Sequence, residues 1–286
     1  MQSLLPVQAR LGEGPHWDAN SGCLWYVDIL GRTIHRYHPA SRSSAALILQ
    51  DDVSTVVPRL GGGLVITLGR GFYGLDWDSH VLTLLAEVES DRPNNRFNDG
   101  KCDAKGRFWA GTLDRGEKEP LGGLYCLDLD LSVHKMLDGV IVSNGLGWSP
   151  DNQTMYYIDS ATKRVAAFDY DLDRGRLSHR REIIAIDTGT PDGMTVDAEG
   201  MLWVAHWDGG RISRWDPVSG TQLAEYLLPV DRVTSLAFGG PDLTELFITS
   251  ARHGISADAL SRQPLAGNVF SFTAPVAGLR SYGFAG

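Results

Sequence analysis

Apolar positions along this chain come in short bursts of about five residues, many of them alternating with polar ones, and a cluster of Gly, Asp, Asn or Ser ends almost every burst. Alternation over so few residues, followed by turn chemistry, is the signature of half-buried strands joined by hairpins. Leu24-Trp25-Tyr26-Val27 with Thr33-Ile34-His35-Arg36-Tyr37 forms the first such pair. The texture then returns at Leu64-Val65-Ile66-Thr67, Phe108-Trp109-Ala110-Gly111, Met155-Tyr156-Tyr157-Ile158, Leu202-Trp203-Val204-Ala205 and Leu246-Phe247-Ile248-Thr249. Taking Trp25, Val65, Trp109, Tyr156, Trp203 and Phe247 as equivalent marks, the spacing is 40 to 47 residues, the period of a four-stranded propeller blade. No amphipathic stretch of ordinary helix length fits between the turns. An open sheet with this many strands would leave exposed edges, whereas radial closure leaves short protected ones. The pattern predicts an all-β fold, a six-bladed β-propeller with four-stranded antiparallel blades, filling residues 1–286 as one domain. Closure is expected from pairing of the segment around Leu4 to Leu11 with the last blade near Val269 to Tyr282.

Composition narrows the partners more than it changes the fold. A formal charge of −9 provides no basic stripe for phosphates, which argues against nucleic acid. The N-terminus carries no basic and apolar leader, and no apolar run is long enough for a bilayer, so a cytoplasmic location without membrane attachment is the expectation. Cys23, Cys102 and Cys126 are odd in number and lack metal-ligand spacing, which marks them as reduced structural thiols. A monomer or a small homo-oligomer is expected.

The repeat makes the polar residues informative. Residues at one phase of every blade lie at one radius, so polar groups at the mouths of the innermost strands face a common axis. Eleven or twelve residues before each mark stand Glu13, Ser54, Asn98, Asn144, Asp192 and Ser235. All six are polar. A water-filled channel would also carry Ser, Asn and Asp, but facing carboxylates repel unless a proton or a cation lies between them, and a cation accounts for the amides as well. Hard oxygen donors suit Ca²⁺, Mg²⁺ or Mn²⁺, with no thiolate or evident imidazole set for a structural zinc.

Arg10-Leu11-Gly12-Glu13-Gly14-Pro15, Asn95-Arg96-Phe97-Asn98-Asp99-Gly100-Lys101, Ser143-Asn144-Gly145-Leu146 and Pro191-Asp192-Gly193-Met194-Thr195-Val196-Asp197 resemble the regucalcin (senescence marker protein), gluconolactonase and luciferin-regenerating enzyme family. The resemblance runs through almost the entire chain, to Thr249-Ser250-Ala251-Arg252 and Leu265-Ala266-Gly267-Asn268-Val269-Phe270. It implies a six-bladed propeller that binds one divalent ion near the axis (Ca, Zn, Mn, Mg or Fe) and hydrolyses sugar lactones. By the same resemblance Glu13, Asn144 and Asp192 hold the metal, while Arg96 and Asn98 reach the substrate. The sequence departs from the family between Leu113 and Leu121, where some members bring an acidic residue to the sugar and where Glu117 and Glu119 have no firm alignment.

Lactone opening needs stabilisation of a carbonyl gaining negative charge and activation of water. Asp192 is the candidate general base. The Arg96 fork suits hydroxyl or carbonyl oxygens, and Asp99 either orients ring hydroxyls with Asn98 or serves as the turn residue before Gly100. His16 and His206 read as hydrogen-bonded structural histidines, and Arg252 as the partner of a carboxylate. Gly69-Arg70-Gly71-Phe72-Tyr73-Gly74 fits a dinucleotide fingerprint, but no helix follows it. There is no G-x-S-x-G elbow and no H-E-x-x-H helix. The expected activity is the hydrolysis of an aldonolactone to its acid; the alternatives are a propeller esterase or phosphotriesterase, and a calcium-responsive regulator without catalysis.

Overall fold

The computed structural model describes residues 1–286. Its strands form six four-stranded antiparallel sheets, arranged as the blades of a β-propeller. The innermost strands are Gly12–Asp18, Val53–Pro58, Asn95–Cys102, Ser143–Trp148, Thr190–Val196 and Val233–Gly239. All six marks named above lie on the second strand of their blades. The regular spacing therefore reports one structural layer.

Packing explains why large apolar residues recur at that layer. Each blade shows one apolar face to the preceding blade and one to the next, so aromatic side chains meet between sheets. Phe72 of the second blade lies 4.6 Å from Phe97 of the third, and Trp203 of the fifth lies 5.8 Å from Phe238 of the sixth, measured between ring centroids. Edge-on and tilted pairs of this kind add to simple area burial. Outer strands alternate between covered and exposed residues, as in Ser43–Ile48, whereas inner strands are buried almost throughout.

Closure follows the expected topology over a narrower segment. Gln2–Leu5 completes the sixth blade by pairing with Val269–Thr273, with Ser3 opposite Phe270. Leu11, expected in that pairing, instead bridges Ala251. The C-terminal residues cross the far end of the propeller, where Phe284 is buried and Arg59 donates to the Gly286 carbonyl at 2.7 Å. The one α-helix, Ala257–Arg262, is six residues long, and no helix is long and apolar enough to cross a membrane. All three cysteines are buried and unpaired with one another.

Candidate functional site

A register irregularity interrupts every inner strand at the polar phase. Breaks fall between Glu13 and His16, Val53 and Thr55, Phe97 and Gly100, Ser143 and Leu146, Pro191 and Met194, and Val233 and Leu236. A bulge re-aims side chains and is common beside functional sites. Here the residue at the polar phase and the one after it form two stacked layers of the inner strands. Counting back from the register partners of the marks, the upper layer holds Glu13, Ser54, Asn98, Asn144, Asp192 and Thr234. Thr234 takes the place that sequence counting gave to Ser235, because the hairpin between the first two strands is longer in the sixth blade than in the others.

The next layer holds Gly14, Thr55, Asp99, Gly145, Gly193 and Ser235. Glycine is needed for want of space at two of these places. A Cβ on Gly145 would lie 2.6 Å from the Met194 nitrogen, and one on Gly193 would lie 2.2 Å from Ser235 Oγ and 2.7 Å from Ser235 Cα. Gly193→Ala therefore forces backbone movement beside Asp192. It should cost about 1–3 kcal/mol of stability and weaken cation binding at the axis, read by urea unfolding and by calorimetric titration; unchanged values in both would contradict this packing.

Four of the six upper residues open onto a cavity of about 550 Å³ at the mouth of the channel: Glu13, Asn98, Asn144 and Asp192. Ser54 and Thr234 do not. Their hydroxyls donate to carbonyls of neighbouring blades, Ser54 to Phe97 at 2.6 Å and Thr234 to Gly12 at 2.5 Å, and so stitch the inner strands together. Asn98 is also heavily engaged, since its amide donates to the Ser143 carbonyl at 2.8 Å and its oxygen accepts from Arg96 at 2.7 Å. Arg96 is 5 % exposed and also donates to the Phe97 carbonyl, at 2.8 Å, which fixes its fork against the cavity wall.

Asn144 differs from Asn98 in having an unused oxygen. Its amide nitrogen donates to Ser160 Oγ at 2.9 Å, and Ser160 Oγ in turn donates to the Pro191 carbonyl at 2.6 Å. With its one proton committed, Ser160 can only accept from Asn144, which settles the amide's orientation. Asn144 Oδ1 is left buried without a partner. A buried acceptor in that condition is costly unless something in the site satisfies it.

The neighbouring carboxylates are in a similar position. Burial and, after it, the charge of Asp99 push the Glu13 carboxyl up to about 8. Burial, then Glu13 and Asp99, raise Asp192 well above the usual range, while the Asn144 amide opposes the shift. Two desolvated carboxylates and one orphaned amide oxygen fit a hard divalent ion, and the ion would remove both costs at once. No three His, Cys, Asp or Glu side chains converge as a metal cluster, because the third oxygen here is an amide.

A pH dependence follows from the same shifts. Without a cation the folded chain keeps a proton on Glu13 between its ordinary 4.5 and about 8, whereas the unfolded chain has lost it. The native state then binds more protons, so stability falls as pH rises through that window. Urea midpoints measured in chelator should drop from pH 5 to pH 8 and should flatten when a divalent ion is supplied; a midpoint that rises in chelator would contradict the shift.

Asp99, expected either at the ring hydroxyls or in a turn, lies outside the mouth cavity in the layer beneath it. It is 3 % exposed, with Oδ1 accepting from Gly100 N at 2.7 Å and Oδ2 unpartnered. Lys101 closes the channel below by donating to the Met194 carbonyl. Glu117 lines the cavity and Glu119 does not. Sequence reasoning missed Arg115, Trp207, Arg232 and His253 on the rim. Arg232 stacks 4.4 Å from the Trp207 ring and pairs with Asp208 at 2.9 Å; like Arg96 it stands two residues before the polar phase, a signal available in the repeat. His206 accords with its reading, with its ring nitrogens 2.6 Å from Ser213 Oγ and 3.2 Å from the Thr188 carbonyl. His16 and Arg252 differ from theirs: His16 makes no hydrogen bond with the protein, and Arg252 donates to the Gln8 side chain at 2.7 Å, an amide where a carboxylate was expected.

A six-bladed propeller with carboxylate and amide oxygens gathered under an axial mouth defines a class of propellers with an axial oxygen-donor centre. Within that class the chain belongs to the SMP-30/gluconolactonase/LRE-like family, whose model matches residues 11–252. It is 46 % identical to regucalcin of Gallus gallus over 285 residues, covering 97 % of this chain and 95 % of that one. Among solved structures it is similar to a calcium-binding protein, regucalcin, from Agrobacterium tumefaciens, with a TM-score of 0.95 and 32 % identity over 99 % of this chain and 96 % of the other. It is also similar to a luciferin-regenerating enzyme, with a TM-score of 0.93 and 34 % identity over 97 % and 96 % of the two chains.

Proposed function

We propose that the protein is a divalent-metal-dependent sugar lactonase that opens a pentono- or hexono-lactone to the aldonic acid. The observation that carries this reading is the unpartnered Asn144 Oδ1 sharing one cavity with the two buried carboxylates Glu13 and Asp192 and with Arg96. Glu13, Asn144 and Asp192 would hold the ion, and the bound ion supplies Lewis acidity toward the carbonyl and its developing oxyanion. Calcium binding by the Agrobacterium relative supports an oxygen-ligated ion.

Asp192 is the general base. Once the local charge is balanced, its carboxylate takes a proton from the attacking water and returns it to the ring oxygen as the C–O bond breaks. Glu13 and Asn144 fix its position from the first and fourth blades. Arg96 cannot rotate away from Asn98 and the Phe97 carbonyl, so its remaining N–H groups present a pre-set fork to the lactone oxygens. Glu117 sits at the rim, where it can accept from sugar hydroxyls. Arg96, Arg115, Glu117, Asp208 and Arg232 line the mouth beside Leu11, Leu30, Leu113, Val142 and Trp207, and this concentration of charged hydrogen-bonding groups favours a polyhydroxylated ring over an aryl ester.

The reading is tested with pentono- and hexono-lactones beside an aryl acetate and a phosphotriester, each with a divalent ion present. Lactones should turn over fastest. Faster turnover of the aryl ester or phosphotriester would replace the lactonase with the esterase alternative, and no turnover of any of them would leave a binding protein.

A further inference from the structure

At the other end of the inner strand from Glu13, blade 1 shows the second blade a row of three side chains with unused hydrogen-bonding groups. His16, Trp25 and Arg36 are cross-strand neighbours on three successive strands. They line a cavity of about 560 Å³, as large as the mouth cavity, together with Trp77 of the second blade and the C-terminal segment 280–283.

None of the three is satisfied by the protein. His16 is 7 % exposed, and burial holds its pKa down at about 4, so the ring is neutral. Trp25 is 5 % exposed, and its indole N–H is buried without an acceptor. The Arg36 guanidinium lies 5.6 Å from the Trp25 ring and 5.3 Å from the Trp77 ring, with the two indoles edge to face at 4.8 Å. It has no carboxylate partner. The cavity's other arginines are engaged, Arg59 with the Gly286 carbonyl and Arg280 with Asn20. Of the carboxylates there, Asp18 accepts from Asn20 N and Ser21 Oγ.

Indole and guanidinium groups can only donate. A guanidinium lying on aromatic faces keeps its edge N–H groups free for a planar bidentate acceptor. A ligand here must therefore bring acceptor oxygens, and the indole wall suits a ring body behind them. We propose that this cavity binds a small ring-bearing monocarboxylate, its carboxylate held by the edge of the Arg36 guanidinium and its ring packed on Trp77. A phosphate dianion fits less well, because a single guanidinium edge matches two coplanar oxygens.

The inference is independent of the lactonase reading. Its test is calorimetric titration of benzoate, cyclohexanecarboxylate, acetate and inorganic phosphate into the full chain, parent beside Arg36→Met, Trp77→Ala and Glu13→Gln. The expected result is one benzoate or cyclohexanecarboxylate per chain, weakened at least about tenfold by Arg36→Met and clearly by Trp77→Ala, with Glu13→Gln binding like the parent. Thermal melting confirms that each variant is folded, and having two variants, one on each blade, guards against loss of one. No carboxylate binding, binding indifferent to Arg36 and Trp77, loss on Glu13→Gln, or phosphate bound as tightly as benzoate would each overturn it.

Discussion

Asp192→Asn should lower kcat for lactone opening by about 10²–10⁴-fold, the range that a positioned acid–base group contributes. The amide keeps the shape and one oxygen of the carboxylate, so cation binding should weaken without disappearing. Glu13→Gln gives the contrasting pattern. It removes charge from the proposed ion site and leaves the base, so its defect should recover as the ion concentration is raised. Steady-state kinetics at several ion concentrations separate the two. An Asp192→Asn enzyme with parental kcat would remove Asp192 from the chemistry.

The largest effect on stability is expected far from the mouth, at Asp103. This carboxylate is fully buried and accepts from Arg107 Nε at 2.7 Å, Tyr170 Oη at 2.6 Å and Trp109 Nε1 at 2.9 Å. Arg107 is itself only 4 % exposed. Asp103→Ala would leave that guanidinium buried and uncompensated, at a cost of about 3–5 kcal/mol. The urea midpoint should fall steeply with little change in slope; a midpoint near the parent's would mean that water enters to replace the carboxylate. The fifth blade repeats the device, with Asp197 accepting from Trp203 Nε1 and Arg214 Nε at 2.8 Å each. In both blades the aspartate stands six residues before the tryptophan.

That repeat shows why so much of the fold could be read from the sequence. Trp25, Trp109 and Trp203 recur because each sheet must bury a large side chain against the next, and a constraint that recurs six times gives a clear period. The axis was legible for the same reason, and Glu13, Asn98, Asn144 and Asp192 share the mouth cavity. What could not be read turns on single-residue geometry. The longer first hairpin of the sixth blade exchanges Ser235 for Thr234, a slip that counting from a mark cannot resolve, and the bulge places Asp99 below Asn98. The orphaned oxygen of Asn144 depends on Ser160 donating its one proton to the Pro191 carbonyl, a fact that exists only once blades four and five are together. Glu117 occupies the mouth through a tight turn with φ of 54°, in which its N–H bonds the Asp114 carbonyl at 2.8 Å. No spacing rule distinguishes it from Glu119. The free donors of His16, Trp25 and Arg36 were equally hidden, because each residue taken alone suits a blade interior.

The central claim is that the axial oxygens hold an ion needed for lactone hydrolysis. Its most direct test strips the protein of divalent ions, adds back Ca²⁺, Mg²⁺, Mn²⁺, Zn²⁺ or Fe²⁺, and follows ion binding and lactone opening together in the parent and in Asn144→Leu. The account predicts one ion bound per chain, turnover that returns in step with its occupancy, and loss of both in the folded Asn144→Leu variant. Full lactone turnover by the stripped parent, or an ion bound equally well by Asn144→Leu, would contradict it.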